Sequence, residues 1–136
     1  MPPVIKCGYD KDEIHTICKL SKNTQTRKDY SYMELVMYRQ PDKQYYAEYI
    51  PGIACIFGYV NPSKSELRII CTAVADEHKR HGYGGFLLRR AINYAKRAGL
   101  NQISTRTTSG YEFYSRYGFF ANDRAENGDY MMHKQI

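Results

Sequence analysis

Residues 67–86 read Leu-Arg-Ile-Ile-Cys-Thr-Ala-Val-Ala-Asp-Glu-His-Lys-Arg-His-Gly-Tyr-Gly-Gly-Phe. The apolar run Leu67–Val74 predicts a buried strand, and a helix is expected to begin near Tyr83. A basic, glycine-rich loop lies between them. Free backbone N–H groups and the helix dipole make the start of such a helix an anion site, and glycines let the backbone approach a phosphate closely. The stretch therefore predicts a ligand that carries phosphate.

The spacing of the glycines narrows the class of ligand. The dinucleotide-binding fingerprint requires a third glycine where Leu87 stands, and the Gly-Lys-Ser/Thr of the P-loop is absent. The pattern that fits is Arg/Gln-x-x-Gly-x-Gly/Ala after a strand ending in Val-x-Pro, with Lys79 in place of Arg or Gln and Asp76 in place of proline. On this stretch alone, a plain turn is an equally good interpretation.

A second motif follows a short strand predicted at Gln102–Thr107. It reads Thr107-x-x-Gly110-x-x-Phe113-Tyr114-x-x-x-Gly118-Phe119. Together, and in this order, the two motifs resemble the GCN5-related N-acetyltransferase (GNAT) family, whose fourth segment reads Asn-x-x-Ala-x-x-Phe-Tyr-x-x-x-Gly-Phe. The resemblance covers about residues 50–122. Thr107 and Gly110 depart from the family's Asn and Ala, which bears on side-chain contacts to the cofactor and not on the fold.

The length and the resemblance together imply the architecture. The 136 residues are enough for one domain, so residues 1–136 are expected to form a single N-acetyltransferase domain. The fold class is mixed α/β (α+β), with a central, mostly antiparallel, twisted sheet of about six to seven strands and about four flanking helices. The resemblance places the acceptor groove between residues 11–40 and 123–129.

The resemblance also implies the reaction and the cosubstrate. An acetyl group moves from acetyl-CoA to a primary amine by direct attack, and no metal takes part. Backbone groups of Thr72, Ala73 and Val74 are expected to hold the pantetheine. The pyrophosphate is expected on Lys79, Arg80, His81, Gly82, Tyr83, Gly84 and Gly85.

The reaction poses two proton problems. A lysine-like amine, with a pKa of about 10.4, is almost fully protonated near neutral pH, so a base assists the attack. The leaving thiolate is stabilised by a proton or a hydrogen bond. Tyr114 holds the position of the family's Phe-Tyr tyrosine and is expected to be the general acid. Glu66 is expected as a second catalytic residue, the base, with Glu48 or a bound water as alternatives.

The net charge of +6 favours anionic partners. We expect Lys79, Arg80, Arg89 and Arg90 to contribute positive charge at the coenzyme A site, and the other basic residues to be solvated surface. An alternative function is a catalytically weak regulatory module that binds coenzyme A or contacts nucleic acid. Nucleic acid is the less favoured partner; the favoured one is a small-molecule or protein amine.

The cysteines and the hydropathy pattern bear on metal binding, membrane association and cellular compartment. The four cysteines form no Cys-x-x-Cys pair and have no histidine at zinc-ligand spacing, so no metal site is expected, and Cys71 is interpreted as a core thiol. The sequence has no signal peptide and no apolar run of membrane-spanning length. We therefore expect a cytoplasmic protein, a monomer or a homodimer, with no membrane partner.

Local patterns predict the remaining elements. A capping box at Asp10-x-x-Glu13 begins a helix over 11–21, and Gly99 ends a helix over 83–98. A second capping pattern, Ser31-x-x-Glu34, predicts another helix, although a strand suits its Tyr, Met and Val nearly as well. Strands are expected at 4–7, 45–50, 53–60 and 66–74, a short helix at 111–117, and a hairpin of 119–122 with 130–134 around Asn127-Gly128.

Overall fold

The computed structural model describes residues 3–23 and 25–136. Of Asn122, within the second range, it describes the backbone only. Within these residues, a seven-stranded sheet has the order β1-β2-β3-β4-β5-β7-β6. The strands are β1 (Lys6–Cys7), β2 (Tyr45–Ile50), β3 (Ala54–Asn61), β4 (Glu66–Val74), β5 (Gln102–Thr107), β6 (Phe120–Arg124) and β7 (Tyr130–Gln135). The helices are α1 (Lys11–Leu20), α2 (Gln25–Arg39), α3 (Tyr83–Arg97) and α4 (Tyr111–Arg116), with short 3-10 turns at Pro62–Lys64 and Asp76–His78. The predicted fold class is confirmed.

The sheet opens between its two central strands. All neighbouring strands are antiparallel except β4 and β5, which run parallel and pair only from Glu66↔Gln102 to Ile69↔Thr105. Cys71–Val74 still pair with β3, but no described residue of β5 pairs with them. Backbone N–H and C=O groups at this edge of β4 therefore face a V-shaped gap and remain free to bind a ligand.

A β-bulge in β4 sets the side-chain directions at this gap. Phe57 pairs with Cys71 and Gly58 with Ile69, so Ile70 is an extra residue on β4. A Cβ at Gly58 would lie 2.0 Å from the Arg68 carbonyl oxygen, so only glycine fits opposite the bulge. The bulge leaves Ile70 and Cys71 both in the core beneath α1 and α2.

Two hydrophobic cores cover the two faces of the sheet. One lies beneath α1 and α2 and includes Ile14, Ile17 and Met33. The other lies beneath α3 and α4, and the predicted stripe of α3 is buried there: Leu87, Leu88, Ala91, Ile92 and Ala95. None of the helices in the described part of the chain has the length and apolar character needed to cross a bilayer.

The start of α2 differs from the sequence prediction. Asp10 caps α1 as predicted, because its Oδ1 accepts from the Glu13 N–H at 3.1 Å. The capping pattern at Ser31 does not begin a helix; α2 already begins at Gln25, and the Ser31 hydroxyl donates to the Arg27 carbonyl within it. Asn23 Oδ1 accepts from the Gln25 N–H at 3.0 Å. The early start places the first turns of α2 beside the gap in the sheet.

Candidate active site

A cavity of about 390 Å³ fills the gap between β4 and β5, and we call it the V cavity. Its walls are the end of β4, the glycine loop with the start of α3, the β5–α4 connection with α4, and the start of α2. Nine of the ten residues predicted to bind the cofactor line it, from Thr72 to Gly85; the exception is His81, whereas His78 is part of the wall. Two motifs that are distant in sequence thus form one cavity.

The start of α3 presents free backbone donors to the V cavity. Gly82 precedes the helix with φ +82°, a left-handed conformation that glycine adopts at little cost, and no side chain caps the helix. The first N–H groups of a helix have no partner within it, so they are available to an anion. Lys79 and Arg80 add positive charge in the same wall.

The next two glycines serve the packing of α4 against α3. A Cβ at Gly85 would lie 1.7 Å from the Tyr117 hydroxyl oxygen. At Gly84 the nearest atoms would be those of Val74 and Phe113, at 3.4 and 3.5 Å. Gly85 is therefore required by a neighbouring side chain, whereas the predicted reason for both glycines was close approach to phosphate.

Asp76, which stands where the family has proline, fastens the loop. Its Oδ1 accepts from the Lys79 ammonium at 2.7 Å and from the Lys22 N–H at 3.0 Å. The bond from Lys79 lowers the pKa of this carboxyl. The departure thus connects the glycine loop to the segment between α1 and α2.

Thr107 and Gly110, the other two departures, compensate each other. Thr107 Oγ1 accepts from the Gly110 N–H at 2.8 Å and so orders the turn before α4. A Cβ at Gly110 would lie 2.7 Å from that oxygen and 3.2 Å from the Tyr114 ring. The family's alanine does not fit beside this threonine without a shift of its neighbours.

Tyr114 lies in the wall of the V cavity with 5% of its surface exposed. Its hydroxyl is 3.1 Å from Thr72 Oγ1 on β4. Burial raises the pKa of Tyr114 to about 12, and the charge of Asp29 acts in the same direction. The phenol is therefore protonated at neutral pH and able to donate a hydrogen bond.

A second cavity, of about 550 Å³, adjoins the first, and we call it the α2 cavity. It lies between α2, β4 and the β6–β7 connection, where the two predicted acceptor segments meet. Thr24, within the first segment, lies outside the described residues. The two cavities share four wall residues: Gln25, Asp29, Ile70 and Arg106. The predicted base Glu66 is buried and lines the α2 cavity, but it is not part of the V cavity wall.

Glu48 and Arg90 lie outside the walls of the V cavity and the α2 cavity. Arg90 donates to Glu48 from both Nε and an Nη, at 2.7–3.2 Å, and Tyr46 also donates to this carboxylate. Burial raises the pKa of Glu48, but these hydrogen bonds outweigh burial and hold it below its usual value. The pair lines a third cavity with Cys7 and Tyr94, so the structure places Arg90 outside the wall of the V cavity, where its charge was expected. Arg89 lies over the Tyr117 ring, 5.9 Å from its centroid.

Asp29 is the site residue that no sequence motif marks. Gln25 Nε2 donates to its Oδ1 at 3.1 Å, and Thr108 Oγ1 is within 3.4 Å of Gln25 Oε1 and 2.8 Å of Asp129 Oδ1. Arg106 donates to Asp129 at 2.9 Å. Burial raises the pKa of Asp29 to about 6, against the opposing effect of the Gln25 bond. Polar side chains thus connect α2 with the loops opposite, and Asp29 is a carboxylate whose pKa is raised above its ordinary value.

Three thiols lie together beneath α1: Cys18, Cys55 and Cys71 are all buried and free. Cys71 also lines the V cavity. The hydrogen bond with Cys18 and burial raise the pKa of Cys71 well above the ordinary thiol value, so it is a protonated thiol and a poor nucleophile. In the part of the chain that the structure describes, no group of three or more His, Cys, Asp or Glu side chains is placed to hold a metal ion.

Comparisons with known proteins agree with this architecture. The family model of the acetyltransferase (GNAT) domain matches residues 41–120. A comparison with curated protein sequences gave no match. The structure is similar to that of PaiA N-acetyltransferase from Thermoplasma acidophilum in complex with coenzyme A, with 15% identity and a TM-score of 0.69 over 98% of this chain and 99% of that chain.

Two further solved structures share the fold. The ribosomal-protein-S18-alanine N-acetyltransferase from Escherichia coli has 14% identity and a TM-score of 0.71, over 99% of this chain and 94% of that chain. Mutant forms of the spermidine/spermine N-acetyltransferase SpeG from Vibrio cholerae have 13% identity and a TM-score of 0.68, over 98% of this chain and 95% of that chain. At these identities the similarity shows the fold, while the family model covers more than half of the sequence. The chain belongs to the GNAT acetyltransferase family.

Proposed function

We propose that this chain is an N-acetyltransferase that moves the acetyl group of acetyl-CoA to a primary amine by direct attack. The observation that carries the proposal is the meeting of the V cavity and the α2 cavity at a shared wall. A donor in one cavity and an acceptor in the other can reach the same point from opposite sides. Proximity and orientation of two bound reactants supply a large part of the barrier reduction in such transfers.

The walls of the V cavity fit coenzyme A. The unpaired edge of β4 at Cys71–Val74 offers backbone donors and acceptors to the amides of the pantetheine arm, as an added strand would find them. The N–H groups at the start of α3 suit the pyrophosphate, and nothing lies within 4 Å of the space where a Gly82 Cβ would stand. Arg80 and Arg116 complete the cationic lining. The Thermoplasma enzyme of the same fold was solved with coenzyme A, which supports this assignment.

The chemistry is a single transfer. The amine nitrogen attacks the thioester carbonyl carbon, the new C–N bond forms, the C–S bond breaks, and coenzyme A leaves as a thiolate. Tyr114 donates its hydroxyl hydrogen to the sulfur. An ordinary thiol has a pKa of about 8.5, below that of this tyrosine, so the hydrogen bond stabilises the thiolate without complete proton transfer. The cysteine in the same wall is protonated and takes no acetyl group.

The acceptor amine binds in the α2 cavity. This cavity has charges of both signs, with Glu66 and Asp29 beside Arg68 and Lys28. A polycation such as spermidine prefers a wall of carboxylates, whereas an amine that also carries carbonyl or carboxylate groups suits mixed charges. The lining therefore favours a peptide or protein amine over a polyamine.

The test is release of free coenzyme A from acetyl-CoA, measured with a thiol reagent over three amines. They are a peptide with a free N-terminus, an N-terminally blocked peptide with one lysine, and spermidine. We expect release with at least one peptide amine. Because Cys7 is an exposed thiol, the measurement uses a Cys7→Ser background or subtracts protein alone.

The regulatory alternative gives a different pattern. No thiol release with any of the three amines, combined with binding to nucleic acid that weakens steeply with salt, would identify a non-catalytic module. Release confined to spermidine would contradict the acceptor class and leave the transfer reaction in place.

A further inference from the structure

We propose that Asp29 is the base that takes the proton from the acceptor amine. This inference rests on the proposed function and assigns a residue that neither motif contains. Asp29 lies on α2 at the junction of the V cavity and the α2 cavity, in the wall of both. Glu66, the carboxylate expected from the sequence, reaches only the second.

The presence of Asp29 and Tyr114 in one cavity wall matches the two proton problems of the reaction. Both side chains line the V cavity, one from α2 and the other from α4. Burial is the main cause of the raised pKa of the Tyr114 phenol, and the charge of Asp29 adds a smaller contribution in the same direction. The reaction requires a group that accepts a proton from the amine and a group that stabilises the leaving thiolate by a hydrogen bond, held in environments that separate their pKa values. The pKa values of about 6 for Asp29 and about 12 for Tyr114 suit these two roles.

The surroundings of Asp29 hold the carboxylate without neutralising it. Gln25 fixes Oδ1 by a hydrogen bond, and within the described residues no Lys, Arg or His nitrogen lies within 4 Å of this carboxylate. The titratable groups that act on it are Cys18, Cys71 and Asp129, and the other charged residues of the α2 cavity wall are Lys28, Lys64, Glu66, Arg68 and Arg106. Arg106 is itself paired with Asp129. Asp29 is half-buried, and a carboxylate that is partly withdrawn from water and has no cationic partner binds a proton more readily than an exposed one.

The proposed step balances. The neutral amine attacks the thioester carbon, and the nitrogen, now bonded to that carbon, loses its extra proton to Asp29. The C–S bond breaks with its electron pair on sulfur, which Tyr114 stabilises by a hydrogen bond. The α2 cavity opens to solvent, so Asp29 returns the proton to water after the acetylated amine leaves.

The experiment compares Asp29→Asn with the parent protein on the peptide amine that is the best substrate in the panel. The asparagine keeps the shape and the partner Gln25 but cannot accept a proton. We expect kcat/KM for the amine to fall by about 10²–10⁴-fold, with acetyl-CoA affinity unchanged. Asp42→Asn, in an exposed turn remote from both cavities, is the matched control and keeps full activity.

The pH dependence separates a base from a structural residue. Below about pH 6, the parent must lose a proton from both the amine and Asp29, so log kcat/KM is expected to rise with a slope of about 2. In Asp29→Asn only the amine titrates, and the slope is about 1. Glu66→Gln keeps the slope of the parent.

Three outcomes would overturn the assignment. These are a kcat/KM within threefold of the parent, a loss that parallels weaker acetyl-CoA binding, and a higher KM for the amine with the slope still about 2. A change of slope in Glu66→Gln instead would move the base to that residue. Absence of turnover in the parent protein with every amine contradicts the proposed function itself, which distinguishes the two failures.

Discussion

The hydroxyl oxygen of Tyr114 lies 3.1 Å from Thr72 Oγ1, so α4 and the free edge of β4 meet at a single hydrogen bond in the V cavity. Either oxygen can be the donor in this pair. When the Thr72 hydroxyl is the donor, the phenol hydrogen is free to bond a sulfur anion, and no change of packing is needed. The edge expected to hold the pantetheine thus also orients the group expected to stabilise the leaving thiolate.

Tyr114→Phe keeps the aromatic ring and removes only the hydroxyl. We expect kcat to fall by about 10²–10³-fold, because a hydrogen bond to developing charge in a buried site is lost. Acetyl-CoA affinity and the melting temperature stay close to those of the parent. Tyr111→Phe, an exposed position of the same helix, is the control. An unchanged kcat in Tyr114→Phe would leave positioning of the two substrates as the main source of catalysis.

Asp29→Asn is expected to stabilise the protein at alkaline pH. The folded-state pKa of Asp29, about 6, lies above the ordinary value of 3.8, so the folded state binds this proton more tightly than the unfolded state. Its contribution is therefore least unfavourable below pH 3.8 and becomes destabilising as the pH rises to about 6 and beyond. Thermal melts should give a higher Tm for the variant at pH 8, by about 2–4 °C per kcal/mol, and a smaller difference at pH 4.

An equal Tm for parent and variant at both pH values would contradict the raised folded-state pKa of Asp29. We expect Asp29→Asn to be more stable and less active than the parent, because the substitution that stabilises the fold also removes the base. Asp42→Asn should change neither the Tm nor its pH dependence, because its side chain is exposed.

Gly110→Ala tests the compensation with Thr107. The added methyl lies 2.7 Å from Thr107 Oγ1, so we expect a loss of about 1–3 kcal/mol in the free energy of unfolding. Thr107→Ala alone removes one hydrogen bond, worth about 0.5–1.5 kcal/mol. In the double variant the clash with the oxygen is absent, so the two losses should not add. Additive losses in urea unfolding would show that the two positions are independent.

Arg90→Met separates fold stability from cofactor binding. Glu48 loses its ion pair while it stays buried and keeps the hydrogen bond from Tyr46, and a buried acceptor that loses a partner costs about 1–3 kcal/mol. Since the pair lines the third cavity, acetyl-CoA affinity at a temperature below unfolding should not change. Weaker binding of acetyl-CoA in the folded variant would return Arg90 to the coenzyme A site.

The sequence predicted most of the fold because its patterns are local. The apolar stripe of α3, the cap at Asp10 and the runs that form β2 to β5 each depend on neighbouring residues, and all are found where they were expected. The start of α2 was missed because its first turns carry no capping box and few apolar residues. Ser31 resembled a cap but instead bonds within the helix.

Only those residues of the candidate site that belong to the two sequence motifs could be predicted from the sequence. The glycine loop and the Phe-Tyr pair pointed to one cavity, and the gap in the sheet brings them together. Asp29 could not be found in this way, because its position depends on how α2 lies across a gap between strands that are more than 25 residues apart in sequence. The predicted base Glu66 shares its strand with the cofactor segment, but the strand carries it to the other cavity.

Calorimetric titration of acetyl-CoA into the parent protein, Gly82→Asp and Gly99→Asp tests whether coenzyme A binds at the start of α3. Both glycines have positive φ at an end of α3, with nothing within 4 Å of an added Cβ, so the backbone strain is matched. Only position 82 would place a carboxylate against the pyrophosphate. Micromolar binding to the parent and to Gly99→Asp, with binding lost in Gly82→Asp, is the expected result. Equal affinity in all three proteins would contradict a coenzyme A site at the start of α3.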